Sequence, residues 1–117
     1  MSNIIYHICR NDEWDAAQNT GHYDGSSQDV EDGFIHFSTA AQVRASAAKH
    51  RLGQTGLVLL SVDTDRLGDA IKWEKSRGGQ LFPHLYRSLK VSEIIRADRL
   101  DLTDVGDHVF PDHVPEV

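Results

Sequence analysis

Three of the seven histidines in this chain, His7, His36 and His84, lie among large apolar neighbours: Tyr6 and Ile8, Ile35 and Phe37, Phe82 and Leu85. An imidazole placed there is desolvated and needs a hydrogen-bond partner, so its protonation is open to tuning. Other groups able to hold a ligand accompany them. Ser38 and Thr39 follow His36 at the junction of a strand with a helix, and Ser38, two residues on, shares the strand face of His36. Trp73-Glu74 sets an aromatic wall beside a hydrogen-bond acceptor, while His84 and Tyr86 put two polar tips on one strand face. His36 and Glu74 are the candidates for catalytic roles; His7, Ser38, Thr39, Trp73, His84 and Tyr86 are candidates for ligand contact. Singly, each is more often structural. Their joint occurrence is the signal.

Other chemistries find less. A histidine metal site is an alternative, since ligands on separate elements can converge, but no His-x-His or His-Glu-x-x-His pair is present and no metal ligands are assigned. Cys9 is the single cysteine, which excludes an internal disulfide and a cysteine metal cluster. No Gly-x-Ser-x-Gly, Walker loop or Gly-x-Gly-x-x-Gly occurs. His50 reads as a helix-surface residue, His108 and His113 as residues of a solvated tail, and His22 as a loop residue open to either reading.

The elements that must position these groups follow from periodicity and punctuation. Asn3 to Cys9 reads as a strand with both faces partly buried, and Asn11 as the cap of a helix that Gly21 ends. From Gly21 to Asp32 the Gly-, Ser- and Asp-rich stretch is expected to be a mobile flap of about a dozen residues over a pocket. Phe34 to Phe37 is a short buried strand, and Ser38 or Thr39 caps the alanine-rich helix from Ala40 to Lys49. Leu57 to Asp63 is a central strand buried on both faces. Shorter strands are expected over Ile71–Glu74, Leu81–Tyr86, where Pro83 marks an edge or bend, and Ser92–Arg99. Strands dominate after the second helix, which favours α+β over a doubly wound sheet. The expected organisation is one α+β domain over residues 1–103 and an irregular C-terminal tail over 104–117.

Composition bounds the partners. A chain of 117 residues, 39% hydrophobic and 26% charged, has room for one core and one pocket. Acidic residues outnumber basic ones 18 to 12, for a net charge of −6, which disfavours a nucleic-acid partner. No apolar run approaches the roughly 20 residues of a membrane helix, and the N-terminal residues lack the features of an export signal. With a single cysteine, a cytoplasmic location is the expectation, and a small-molecule ligand the expected partner.

Tyr6-His7, Gly33-Phe34-Ile35-His36-Phe37-Ser38-Thr39, Trp73-Glu74 and Phe82-Pro83-His84-Leu85-Tyr86 together resemble a family of small uncharacterised bacterial and plant proteins, over nearly the whole chain to about Leu100. That family in turn resembles the ADP-ribosyltransferase fold, closest to its RNA 2′-phosphotransferase branch, where a first strand carries Tyr-His-Gly-Thr and a later one His-Ile-His-Leu-Ser. Tyr6-His7 matches the first motif, with Ile8-Cys9 in place of Gly-Thr; Phe34 to Thr39 matches the second, and Leu57 to Asp63 the hydrophobic strand that follows. The resemblance implies a mixed or antiparallel β core with two main helices. It also implies a cleft for NAD or a related nucleotide with His7, His36 and Ser38 in it, and transfer of ADP-ribose or a related group as the reaction class. His36 would orient the ligand or act as acid–base, with Glu74 stabilising positive charge on a ribose-like transition state. Losing glycine after His7 removes a close backbone approach to nicotinamide. A binding or regulatory module that kept the cleft without the chemistry is the competing reading; a purely structural domain is a further one.

Overall fold

The computed structural model describes residues 3–115. β1 (Ile4–Arg10) and β4 (Leu57–Asp63) pair antiparallel along their whole length, from Ile4 opposite Asp63 to Arg10 opposite Leu57. β8 (Ile94–Leu102) pairs with the other side of β4 and carries β9 (His108–Val109), for the order β1-β4-β8-β9. Alternation along these strands sends Ile5, Cys9, Val58, Leu60 and Val62 to one cluster and Tyr6, Leu57 and Leu59 to another. Because both faces of β4 are covered, its sequence is apolar from Leu57 to Leu60 and again at Val62, interrupted only by Ser61 before Asp63.

α1 (Asn11–Thr20) packs Trp14 and Ala17 onto the first face, and α3 (Ala40–His50) packs Val43 onto the second. A second sheet, β3 (Ile35–His36), β6 (Leu81–Leu85) and β5 (Ile71–Lys75) in the order β3-β6-β5, adds Ile35 and Leu85 to the α1 side. Every pairing among the described strands is antiparallel, including that of β2 (His22–Tyr23) with β7 (Leu89–Lys90). The architecture is α+β. Besides α1 and α3 it holds a third α-helix, α2 (Ser27–Asp32). None of the described helices is long and apolar enough to cross a membrane.

Pro83 was expected at an edge or bend, yet it sits in β6, the middle strand. The reason lies in its missing N–H. The β3–β6 ladder runs through Ile35 opposite Leu85 and His36 opposite His84; then the Phe37 N–H donates to Pro83 O at 3.0 Å and nothing is returned. The ladder stops there. Ser38 crosses to the first sheet and exchanges both backbone hydrogen bonds with Tyr6, each 2.8 Å. The segment from Phe34 to Ser38 thus bridges the two sheets.

Two further expectations change. The stretch from Gly21 to Asp32 is not an open flap: it forms β2 and α2, and Tyr23 is buried in the main core. Ser26 and Asp29 make a reciprocal capping box, the Asp29 N–H donating to Ser26 Oγ and the Ser26 N–H to Asp29 Oδ2. The C-terminal segment, turns and bends apart from β9, is tied to the rest of the fold. β9 joins the first sheet, Val114 enters the second cluster with Phe110 against it, and Arg44 donates to the carbonyls of Val114 and Pro115. His113 meets Asp98 at 2.8 Å and His108 donates to Gln54 O, so neither is merely solvated; residues 116–117 lie outside the described residues.

Ser61, 2% exposed in β4, holds a hydroxyl without a partner. Ser61→Ala should therefore leave stability unchanged or raise it by about 1 kcal/mol, since it removes an unsatisfied polar atom. Leu60→Ala in the same strand should cost about 2–5 kcal/mol. Urea unfolding of the two variants checks the contrast, and a clear loss in Ser61→Ala would mean that its hydroxyl is satisfied after all.

Candidate functional site

Where the bridging segment passes β1, a cleft of about 400 Å3 opens, lined in part by His7, Asp29, His36, Ser38, Ser46 and His84. His7 is held from both ends. Its Nδ1 lies 2.5 Å from the backbone oxygen of His36, which can only accept, so Nδ1 carries the proton and donates. Nε2 then accepts from the Tyr23 hydroxyl at 2.6 Å. Burial holds the His7 pKa below its ordinary value against the opposing pull of Asp29, and burial pushes the Tyr23 phenol up, so both stay in the forms this bond needs.

Asp29 is the centre of the arrangement and only 3% exposed. Its Oδ1 accepts from the backbone N–H of His36 at 3.2 Å and faces His36 Nδ1 at 2.5 Å; Oδ2 accepts from Ser26 N–H at 2.8 Å. Burial works to raise its pKa, but the bonds from His36 and from the two backbone N–H groups, with the field of His7, outweigh it, and the carboxyl lies below its usual value. The other ring nitrogen of His36 lies 3.2 Å from Asp32 Oδ2. The Asp29 carboxylate only accepts, so Nδ1 of His36 carries a proton and donates to Oδ1, while Nε2 faces the Asp32 carboxylate.

A second carboxylate–histidine pair sits beside the first. His84 Nδ1 donates to Glu74 Oε1 at 2.9 Å, and the Tyr86 hydroxyl donates to the same oxygen at 2.6 Å. Those bonds, Tyr86 first and His84 second, lower the Glu74 pKa, and the bond to Glu74 raises that of Tyr86. Phe34 stacks on the His84 ring with centroids 4.1 Å apart, and His36 meets it edge-on at 5.4 Å. No other group among the described residues bonds the His84 ring, so Nε2 is open on a side chain that lines the cleft.

Of the residues singled out in the sequence, His7, His36, Ser38 and His84 line the cleft. Ser38 Oγ lies 3.2 Å from Ser46 Oγ. Glu74 and Tyr86 stand behind His84 rather than in the lining. Thr39 is the N-cap of α3, and Trp73, 42% exposed, alternates with Glu74 along β5 and so faces the other side of the sheet. His50, read as a surface residue, also lines the cleft. Sequence reasoning missed Asp29, Tyr23 and Arg51. Only Asp29 had a signal: Ser26-x-x-Asp29 is a capping-box pattern that starts a helix. No group of three or more metal-ligating side chains disposed around one point occurs among the described residues.

Residues 8–97 match the family described as "Protein of unknown function (DUF952)", and the chain belongs to that family. No curated protein matches the chain. Among solved structures, the crystal structure of protein CC0527 from Caulobacter crescentus is 50% identical, covers 95% of this chain and 97% of that one, and superposes with a TM-score of 0.90. The solution NMR structure of CC0527 is 50% identical over 94% of this chain and 95% of that one, with a TM-score of 0.84.

Two outcomes follow from this geometry. Because the folded pKa of His7 is lowered, the unfolded chain binds the additional proton; the contribution is complete above the ordinary value of 6.5 and is lost as pH falls below it. Asp29 adds stability that is present above its ordinary value of 3.8 and lost as pH falls through its lower folded value. Unfolding free energy measured from pH 8 to pH 3 should thus decline in two stages, and His7→Gln should flatten the first. The second outcome concerns Gly25, at φ +97°, where an added Cβ would lie 2.6 Å from Asp29 Cβ. Gly25→Ala should destabilise by on the order of 1–3 kcal/mol and perturb the His36 ring resonances; a variant with unchanged melting and spectra would show that Asp29 is not held in this way.

Proposed function

We propose that this member of the DUF952 family binds a small, nucleotide-like ligand in the cleft and presents His84 to it as an acid–base group. The observation that carries the proposal is the division of the His84 ring: Glu74 holds Nδ1–H at 2.9 Å, while Nε2 is open on a cleft-lining side chain. A carboxylate that fixes one nitrogen sets the tautomer and leaves the other to take or give a proton. Tyr86 supports the ionised form of Glu74 through its bond to Oε1. Negative charge there would stabilise the imidazolium formed when His84 takes a proton. His36, with both nitrogens engaged by Asp29 and Asp32, orients and walls the site. His7 and Ser38 complete the wall behind it, while Thr39, the N-cap of α3, and Trp73, on the other side of β5, stand outside the lining.

The ligand class rests on the motif likeness to the ADP-ribosyltransferase fold. It is supported by two sheets that meet where His7 bonds His36, and by a cleft volume within the usual range for small-molecule sites. NAD, ADP-ribose and mononucleotides are therefore the first ligands to screen, with transfer of ADP-ribose or a related group as the reaction class. One observation favours a binding module without turnover: the Glu74 side chain is 40% exposed, which screens its charge.

A thermal-shift screen with NAD, ADP-ribose and AMP tests binding; ligand at about 100 times its dissociation constant should add roughly 2.7 kcal/mol. With a binding ligand in hand, His84→Gln and Glu74→Gln separate the two readings. The acid–base reading expects His84→Gln to lower turnover about 100- to 10,000-fold with binding largely kept. The module reading expects no turnover in the parent protein and changes in affinity alone. No shift with any of the three ligands would overturn the nucleotide-like assignment.

A further inference from the structure

Arg51, at the C-cap of α3, lines the same cleft. Its Nη2 donates to the backbone oxygen of Ile8 at 3.4 Å, and its Nη1 to Gln54 Oε1 at 3.3 Å. Both contacts are long and both acceptors are neutral. Among the described residues no carboxylate comes within ion-pair distance of this guanidinium. Four other arginines differ, whereas Arg66 and Arg99 also have no carboxylate within ion-pair distance among the described residues. Arg10, Arg87 and Arg96 each meet a carboxylate, at 3.1, 2.8 and 3.2 Å, and Arg44 is engaged with two carbonyls and the Phe110 ring.

In a chain with 18 acidic and 12 basic residues, a cleft arginine is more readily paired with a carboxylate than left with neutral acceptors. Instead Arg51 keeps donors in hand beside Ile8, one residue along β1 from His7. The lining acids are already engaged: Asp29 by His36 and Ser26, and Glu13 by the backbone N–H of Arg10. Arg10, itself tied to Asp12, and His50 add basic character to the lining. Of the neighbouring hydroxyls of Ser38 and Ser46, one donates to the other and one O–H is left over to donate.

We infer that the ligand of this cleft carries an anionic group, a phosphate or a carboxylate, that docks on the guanidinium of Arg51. The inference rests on the reading of the cleft as a ligand site, and it names what that ligand must carry. A guanidinium offers a planar fork of N–H groups that matches two oxygens of either anion, and its charge stays constant with pH. The anion anchors the ligand from the β1 side and leaves the remainder to reach His84.

The test uses phenyl phosphate, benzoate and neutral benzyl alcohol as probes, followed by amide and His ring NMR and by isothermal titration on the full chain. One or both anions should bind and move cleft resonances, at least tenfold more tightly than benzyl alcohol, and should weaken as salt is raised. Preference between phenyl phosphate and benzoate separates the two anion sources. Arg51→Gln should weaken the anion at least tenfold, with Arg51→Lys recovering part of the loss; matching melting temperatures show that the variants fold. Equal binding of anionic and neutral probes, or anion binding unchanged in Arg51→Gln, overturns the anion inference and leaves the cleft reading standing. Failure of every probe to move a cleft resonance, together with no shift by any nucleotide, overturns the cleft reading and this inference with it.

Discussion

Asp29 is a carboxylate taken almost wholly out of water, and such a burial costs several kcal/mol unless its lone pairs are satisfied. Here they are met by the N–H groups of Ser26 and His36 and by the His36 ring. Each of those donors belongs to a different part of the structure: the turn into α2, the backbone of β3, and the side chain that faces the cleft. The carboxylate therefore does more than bond a histidine. It docks the segment after α1 onto the second sheet and sets the position of the His36 carbonyl, which in turn receives His7. Tyr23 closes the chain from the other side. In a low-dielectric interior such a network favours its complete form, because any missing member leaves a buried group unsatisfied.

The site also depends on the ladder between β3 and β6 ending where it does. Had residue 83 an N–H to return, the pairing of Phe37 could continue, and the chain would stay in the second sheet. Proline prevents this, and Ser38 is released to pair with Tyr6. One short segment thus presents Phe34 and His36 to His84, and Ser38 to β1, within five residues of sequence. The missing donor at Pro83 falls where the chain leaves the second sheet for β1.

How much of this was legible beforehand depended on the reach of each signal. Period-two alternation and a strongly apolar run place β1 and β4 well, since those patterns record burial directly. The cap of α3, read at Ser38 or Thr39 and found at Thr39, and the glycine after α1 are local chemistry, whereas the N-cap of α1 is Arg10 rather than Asn11. Pro83 misleads because its meaning depends on which neighbour faces the missing N–H, a tertiary fact. The stretch from Gly21 to Asp32 misleads through its composition: it looks like solvent-facing loop, whereas its one tyrosine is core and one of its acids is buried. The His36–Asp29 partnership spans seven residues but crosses from α2 to β3, and the Arg51–Ile8 contact spans 43. Nothing in local pattern reports pairings of that kind.

The three histidines show why residue type alone could not assign roles. All were chosen for the same reason, an imidazole among apolar neighbours, and all lie together. Their second nitrogens then separate them. In His7 the remaining nitrogen accepts from a phenol whose proton burial retains, so the ring is closed to a ligand. In His36 both nitrogens face carboxylates, and the proton on Nδ1 is held in the bond to the buried Asp29. Only His84 has one nitrogen fixed and one without a protein partner among the described residues. Two of the imidazoles therefore act as rigid framework, and their cost in desolvation is offset by hydrogen bonds within the fold. The third rests on that framework through Phe34 and His36, its Nε2 without a protein partner among the described residues on a side chain that lines the cleft.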